Sequence, residues 1–218
     1  MTFEQIRKDP AIRTYISQAD ATLAVLGYTE HSFAHVTRCA ETAAGLLEQL
    51  GYTPREVELA RIAGYMHDIG NVVNRIEHSQ SGAVMAFRLL DKMGFAPEEI
   101  AVIVSAIGNH DEGTGVPVSP VAAALILADK SDVRRSRVRT KDTAGFDIHD
   151  RVNYSVTQSQ LMLNEQRTQV LLELTVDTQF SPVMDYFLIF MDRMELCRKA
   201  AKALGLEFKL VINDQQML

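Results

Sequence analysis

Three of the six histidines in this chain stand directly before an aspartate, as His67-Asp68, His110-Asp111 and His149-Asp150. Composition alone would place about 0.4 such pairs in a chain of this make-up. An imidazole beside a carboxylate is ligand chemistry shared by borderline and hard divalent metals, so the excess directs attention to metal binding. Two further histidines and a later aspartate extend the series. His35, His67, His78, His110 and Asp129 follow one another at intervals of 32, 11, 32 and 19 residues, about one helix or helix pair each.

The elements that must position these residues have legible boundaries. Asp9-Pro10 reads as an N-cap with proline at N1, and Ile12, Ile16, Ala19, Leu23 and Leu26 follow at helical spacing until Gly27. Ser32 caps a second helix with a buried stripe from Val36 to Leu50. Thr53-Pro54-Arg55-Glu56 is a capping box that opens a third, ending at His67-Asp68. His78 to Met93, Pro97 to about Asn109, and Pro120 to Lys130 complete the set, with Gly113 and Gly115 in a loop after His110. Every helix from the second to the sixth carries a candidate ligand at or near an end, and packed as a bundle their termini can converge on one cavity.

Beyond about Phe146 the apolar period shortens from 3.6 to 2. Val152, Tyr154 and Val156 alternate with polar residues, as do Val170 to Val176 after an Asn164-Glu165-Gln166 turn. A long helix from Ser181-Pro182 to Gly205 and a last strand over Glu207 to Asn213 complete a β-β-α-β unit. The expected fold is therefore mainly α: a helical domain over residues 1–145, then a small α+β appendage over 146–218. So small an appendage is expected to gain stability by packing on the helical part or by dimerisation with a second copy of the chain.

His35-Val-Thr-Arg, His67-Asp68-Ile69-Gly70 and Ala128-Asp129-Lys130, in that order and at that spacing, resemble the H…HD…D signature of the HD-domain superfamily of metal-dependent phosphohydrolases. The resemblance covers roughly residues 20 to 140. It implies that His35, His67, Asp68 and Asp129 bind a divalent metal. It also implies that His78 and His110 belong to a second metal, with Asp68 bridging the two ions. One position departs from the pattern: Asn71 stands where a lysine often follows the HDIG motif, which puts phosphate contact from that position in doubt.

The residues fit such chemistry without the family. A divalent ion lowers the pKa of bound water from 15.7 to about 7, and two ions about 3.5 to 4 Å apart hold attacking and leaving oxygens together. Mixed His and Asp ligands suit Mn, Fe, Co or Zn better than Mg. Lys130, Arg134, Arg135, Arg137, Arg139 and Lys141 form a basic cluster directly after Asp129, where an even spread of cations would leave about 1.2. Lys130 and Arg134 are the expected phosphate ligands, and Arg137, Arg139 and Lys141 the expected solvated members. Asp111 is expected to orient an imidazole, His31 and His149 to be bystanders, and His149-Asp150 to sit in a turn.

The expected function is phosphoester or phosphoanhydride hydrolysis on a nucleotide or small metabolite. Asp68 would position or deprotonate the attacking water, and Lys130 would neutralise phosphate. A diiron O₂-dependent oxygenase of the same fold and a nucleotide-binding sensor without turnover are the alternatives. A net charge of -6 with a pI near 5.5 weighs against nucleic-acid polymers and anionic membranes as partners. Cys39 and Cys197, 158 positions apart in a chain without an apolar leader, fit a reducing cytoplasm better than a disulfide framework.

Overall fold

The computed structural model describes residues 1–140 and 143–218. Lys141, an outer member of the basic cluster, lies outside the described residues. The helical part comprises α1 (Phe3–Lys8), α2 (Pro10–Val25), α3 (Phe33–Gln49), α4 (Pro54–Met66), α5 (His78–Lys92), α6 (Pro97–Gly108) and α7 (Pro120–Ser131). Their starts follow the capping chemistry. The Asp9 carboxylate accepts from the backbone N–H groups of Ala11 and Ile12, Thr53 and Glu56 close a capping box, and the Ser119 hydroxyl accepts from Ala122 N–H. Gly27, with φ at +82°, ends α2 and turns the chain toward the site through Tyr28 to His31.

The central helix is α7. Val121 through Ala128 are all buried, as a helix apolar around its whole circumference must be. It packs on α3, α4, α6 and a long C-terminal helix, α9 (Val183–Ala203), and presents Asp129 and Lys130 at its C-terminal end. His67 is the C-cap of α4, and a single 3-10 turn over Ile69–Val72 carries the chain from Asp68 toward α5, whose first residue is His78.

The C-terminal part forms a sheet in the order β1-β2-β3-β4, with β1 at Val156–Leu163, β2 at Gln169–Val176, β3 at Glu207–Ile212 and β4 at Gln215–Gln216. The β1–β2 hairpin is antiparallel, and its turn is closed by Asn164 Oδ1, which accepts from the N–H groups of Thr168 and Gln169. β2 and β3 run parallel with α9 as the crossover, and Val170, Leu172 and Leu174 stand beside Phe208, Leu210 and Ile212 on the buried face. One hydrophobic core extends from Phe3 to Ile212, without a break at residue 145.

The first predicted strand begins too early. Residues Ile148–Ser155 form a helix, α8, capped by Asp147 Oδ1 accepting from Asp150 N–H at 2.8 Å, and the strand starts only at Val156. The misreading has a physical basis: Val152 and Val156 fit a period of 2, while Ile148, Val152 and Ser155 also fit the i, i+4, i+7 face that this helix turns inward. His149-Asp150 accordingly lies in the first turn of a helix, not in a connecting turn. The short β4 pairing was not anticipated either.

Candidate metal centre

Four imidazoles converge on one point of the helical part, each oriented by a bond on its far side. Nδ1 of His67 donates to the Gly64 carbonyl at 2.8 Å, and Nδ1 of His110 to that of Ile107 at 2.6 Å. Nδ1 of His78 lies 3.1 Å from the Arg75 carbonyl, and Nδ1 of His35 is 2.8 Å from Asp132 Oδ2. With those nitrogens committed, all four Nε2 atoms are turned toward Asp68 and Asp129.

The Asp68 carboxylate divides the cluster into two halves. Its Oδ2 is 3.4 Å from His35 Nε2 and 3.3 Å from His67 Nε2, and Asp129 Oδ1 stands 3.4 and 3.7 Å from the same two nitrogens. Its Oδ1 is 3.5 Å from His78 Nε2 and 3.9 Å from His110 Nε2, which are 3.1 Å from each other. Bonds of about 2.1 Å to a common tetrahedral ion place ligand atoms about 3.4 Å apart, the spacing found in the first half. Cys39 Sγ sits 3.7 Å from the His35 ring and shares that half.

Whether these residues fit an ion is decided by hydrogen bonding. Asp68 Oδ2 is buried and has no hydrogen-bond partner, an arrangement that costs free energy unless a cation supplies the missing contact. Burial favours the neutral form of each group, yet His67 and His35 hold the Asp68 carboxyl well below the carboxylate range. Burial should likewise depress His67, but Asp68 and Asp129 raise it to about 10. The carboxylates thus collect positive charge, by protons on imidazole when no metal is bound. Metal uptake at pH 7 to 8 is therefore expected to release at least one proton and to weaken as the pH falls, because the ion must displace the proton that His67 keeps. Calorimetry in buffers of different ionisation enthalpy measures this release.

Outer contacts hold the candidate ligands in place. Asp132, fully buried, accepts from Arg134 Nε at 2.8 Å on Oδ1 while Oδ2 engages His35. An Asp132→Asn variant is expected to lose about 10- to 100-fold in metal affinity by releasing the His35 ring, read by titration against a chelator. Asn71, the departure from the motif, donates from Nδ2 to Asp68 Oδ1 at 3.0 Å. Its position thus orients a candidate ligand, and Arg75, four residues later in the chain, brings a cation to the cavity wall. Asp111 Oδ1 stands 4.0 Å from His78 Nε2.

Segment 32–134, which contains this constellation, matches the family model of the HD domain. That segment is similar to the HD domain. An uncharacterized protein of Methanocaldococcus jannaschii is 24% identical, over 77% of this chain and 73% of its own length. The crystal structure of a predicted HD superfamily hydrolase from an uncultured Thermotogales bacterium is 23% identical over 60% of this chain and 73% of that one, with a TM-score of 0.44.

The HD domain does not enclose the site alone. A cavity of about 590 Å³ opens over Asp68, His78 and Asp129 and is lined by Lys130 near the HD domain's end, by Arg137 just beyond it, and by His149, Asp150, Phe190 and Arg193 of α8 and α9. Several expectations change here. Arg134 is turned away, bonded to Asp132, Ser136 and Glu30, and is no part of the cavity wall. Arg137, expected to be solvated, is buried and donates to the carbonyls of Glu30 and Asp132. His31 and His149, expected to be bystanders, both line the cavity, and the His31 ring meets the His35 ring edge-on at 5.3 Å. Arg139, the remaining outer cation, is tied to Asp20 and the Tyr28 carbonyl.

Glu112 and Arg193 carry no motif and were missed. Glu112 Oε2 is 3.0 Å from Lys130 Nζ, which also contacts Asp129 Oδ2 at 2.7 Å, and Glu112 Oε1 accepts from Arg193 Nε at 2.9 Å. Burial opposes charge on all of them, yet Asp129 and Glu112 raise Lys130 above its ordinary pKa, and Lys130 and Arg193 hold Glu112 below its own. Asp132 could have been found from its place three residues after Asp129, on the turn that ends α7.

Among the described residues no helix is long and apolar enough to cross a membrane, and both cysteines are free and buried.

Proposed function

We propose that this chain is a metal-dependent phosphohydrolase acting on a nucleotide or another small phosphorylated molecule in the cytoplasm. The observation that carries the reading is the partnerless Asp68 Oδ2, buried among four convergent imidazoles on the floor of a cation-lined cavity. His35, His67, Asp68 and Asp129 would hold one ion, and His78 and His110 a second with Asp68 shared between them. Such ions, preferably Mn, Fe, Co or Zn, would polarise a phosphoryl oxygen and acidify water. The chain's own residues do the rest. Asp68 orients the attacking water, held in register by the Asn71 amide. Lys130, kept protonated by Asp129 and Glu112, contributes positive charge beside the reacting phosphate. A cavity of about 590 Å³ accommodates a nucleotide-sized substrate.

The test is reconstitution of metal-stripped protein with each of these ions and with Mg, followed by assay on a panel of phosphomonoesters and phosphoanhydrides. Release of phosphate that depends on a transition ion is expected. No turnover of any substrate with any ion would sink the proposal. The two-sided environment of Asp68 also favours a second reading, a diiron oxygenase, because each carboxylate oxygen faces its own histidine pair. Oxygen consumption by the iron-loaded protein without phosphate release would select it.

A further inference from the structure

The residue that points to a substrate contact outside the HD domain is Arg193. It lies on α9, about 60 positions beyond the family match, and it reaches the cavity that holds Asp68, Asp129 and Lys130. Two contacts fix its guanidinium. Nε donates to Glu112 Oε1 at 2.9 Å, and the Cζ atom lies 4.2 Å from the centre of the Phe190 ring, which lines the same cavity. No acceptor among the described residues hydrogen-bonds Nη1 or Nη2. A planar fork immobilised by its inner nitrogen and one face, with its outer edge free, matches the two oxygens of a phosphate. Lys130 differs: its ammonium is already engaged by Asp129 and Glu112, so it supplies charge more than a vacant donor. Glu112 links the two cations and sets the distance between them.

We propose that Arg193 is the bidentate ligand of the substrate's phosphate, so that the C-terminal unit completes an active site the HD domain lacks by itself. Glu112 is its positioning residue and Phe190 its platform. The inference rests on the phosphohydrolase reading, and it assigns to α9 a substrate-binding role rather than the role of an appendage. It accounts for two features at once: α9 is packed on α7, the helix that bears Asp129, and Arg193 stays charged in a mostly buried position through Glu112 despite the burial.

The test compares the full chain with Arg193→Lys and Arg193→Gln after loading with Mn, using calorimetric binding of inorganic phosphate, metal content and thermal unfolding. Lysine can keep the ion pair to Glu112 but has no fork. Both variants are expected to bind phosphate about tenfold more weakly or worse, with metal content unchanged, and to raise KM far more than they lower kcat. Phosphate binding by Arg193→Lys within twofold of the wild type would overturn the proposal, and so would a loss of metal in that variant. Should Arg193→Gln fail to fold, Arg193→Lys alone decides. A wild-type protein that neither binds phosphate nor hydrolyses any phosphoester refutes the phosphohydrolase reading itself, whereas intact hydrolysis with indifferent Arg193 variants refutes only the role of Arg193.

Discussion

Asp68→Ala is expected to remove metal retention and phosphate release together. Losing a residue that merely orients a ligand costs about 10- to 100-fold in affinity or activity, and Asp68 is more than that. Its two oxygens face two different pairs of imidazoles, so its loss is expected to cost more than about 100-fold in both halves of the site. Elemental analysis of purified protein and phosphate release measured on the same samples provide the readout. Ligand-linked stability separates this outcome from simple misfolding. An ion that binds only the folded state stabilises it by about 2.7 kcal/mol at 100 times its Kd. Wild-type protein should therefore melt at higher temperature as Mn is added. The variant should fold and show no such rise. An Asp68→Ala protein that keeps its metal and its turnover refutes the assignment of the site.

The helical frame was readable in the sequence because it is written in local spacing, and the candidate His and Asp residues stood out because each lies at or near the end of one of those helices. Asp9-Pro10, Thr53 with Glu56 and Ser119-Pro120 each begin a helix through contacts within four residues, so no knowledge of the rest of the fold is needed. What was not readable depends on contacts distant in the chain. Arg134 and Arg137 are indistinguishable as members of a basic run, and their directions are set by Asp132 and by Glu30, more than a hundred positions earlier. Glu112 and Arg193 become site residues only because α9 returns to lie on α7, 81 positions after Glu112. The α8 error is of another kind. Within these eight residues Ile148 and Val152 fit either period, and the deciding bond, Asp147 to Asp150, is a cap that an aspartate in a loop would equally suggest.

Gly70→Ala is the stability change with the largest expected effect. A Cβ at this position would overlap the carbonyl oxygen of His78 and the backbone nitrogen of Gly82, and it would come within 2.6 Å of Ser81 Oγ. The first two are backbone atoms of α5, so no side-chain rotation relieves the clash, and the turn carrying Asp68 must part from the start of that helix. Overpacking in a dense core costs about 1–3 kcal/mol, and rigid neighbours place this case at the upper end or beyond. For a chain of 218 residues, about 3 kcal/mol corresponds to a fall in Tm of roughly 6 to 12 °C. Gly45→Ala is the control, since a Cβ there meets nothing within 4 Å inside α3, and it is expected to leave stability unchanged or raise it by up to about 1 kcal/mol. The displacement has a direction as well as a size. His78 sits at the end of α5 that must move, whereas His35 and His67 belong to α3 and the end of α4, which supply none of the three atoms nearest a Cβ at Gly70. Folded Gly70→Ala protein is therefore expected to lose occupancy in the His78 and His110 half first, and to retain metal bound by His35, His67 and Asp129. A variant that melts like wild type with full metal content would show that the contact between the HDIG turn and α5 does not hold the two halves of the site together.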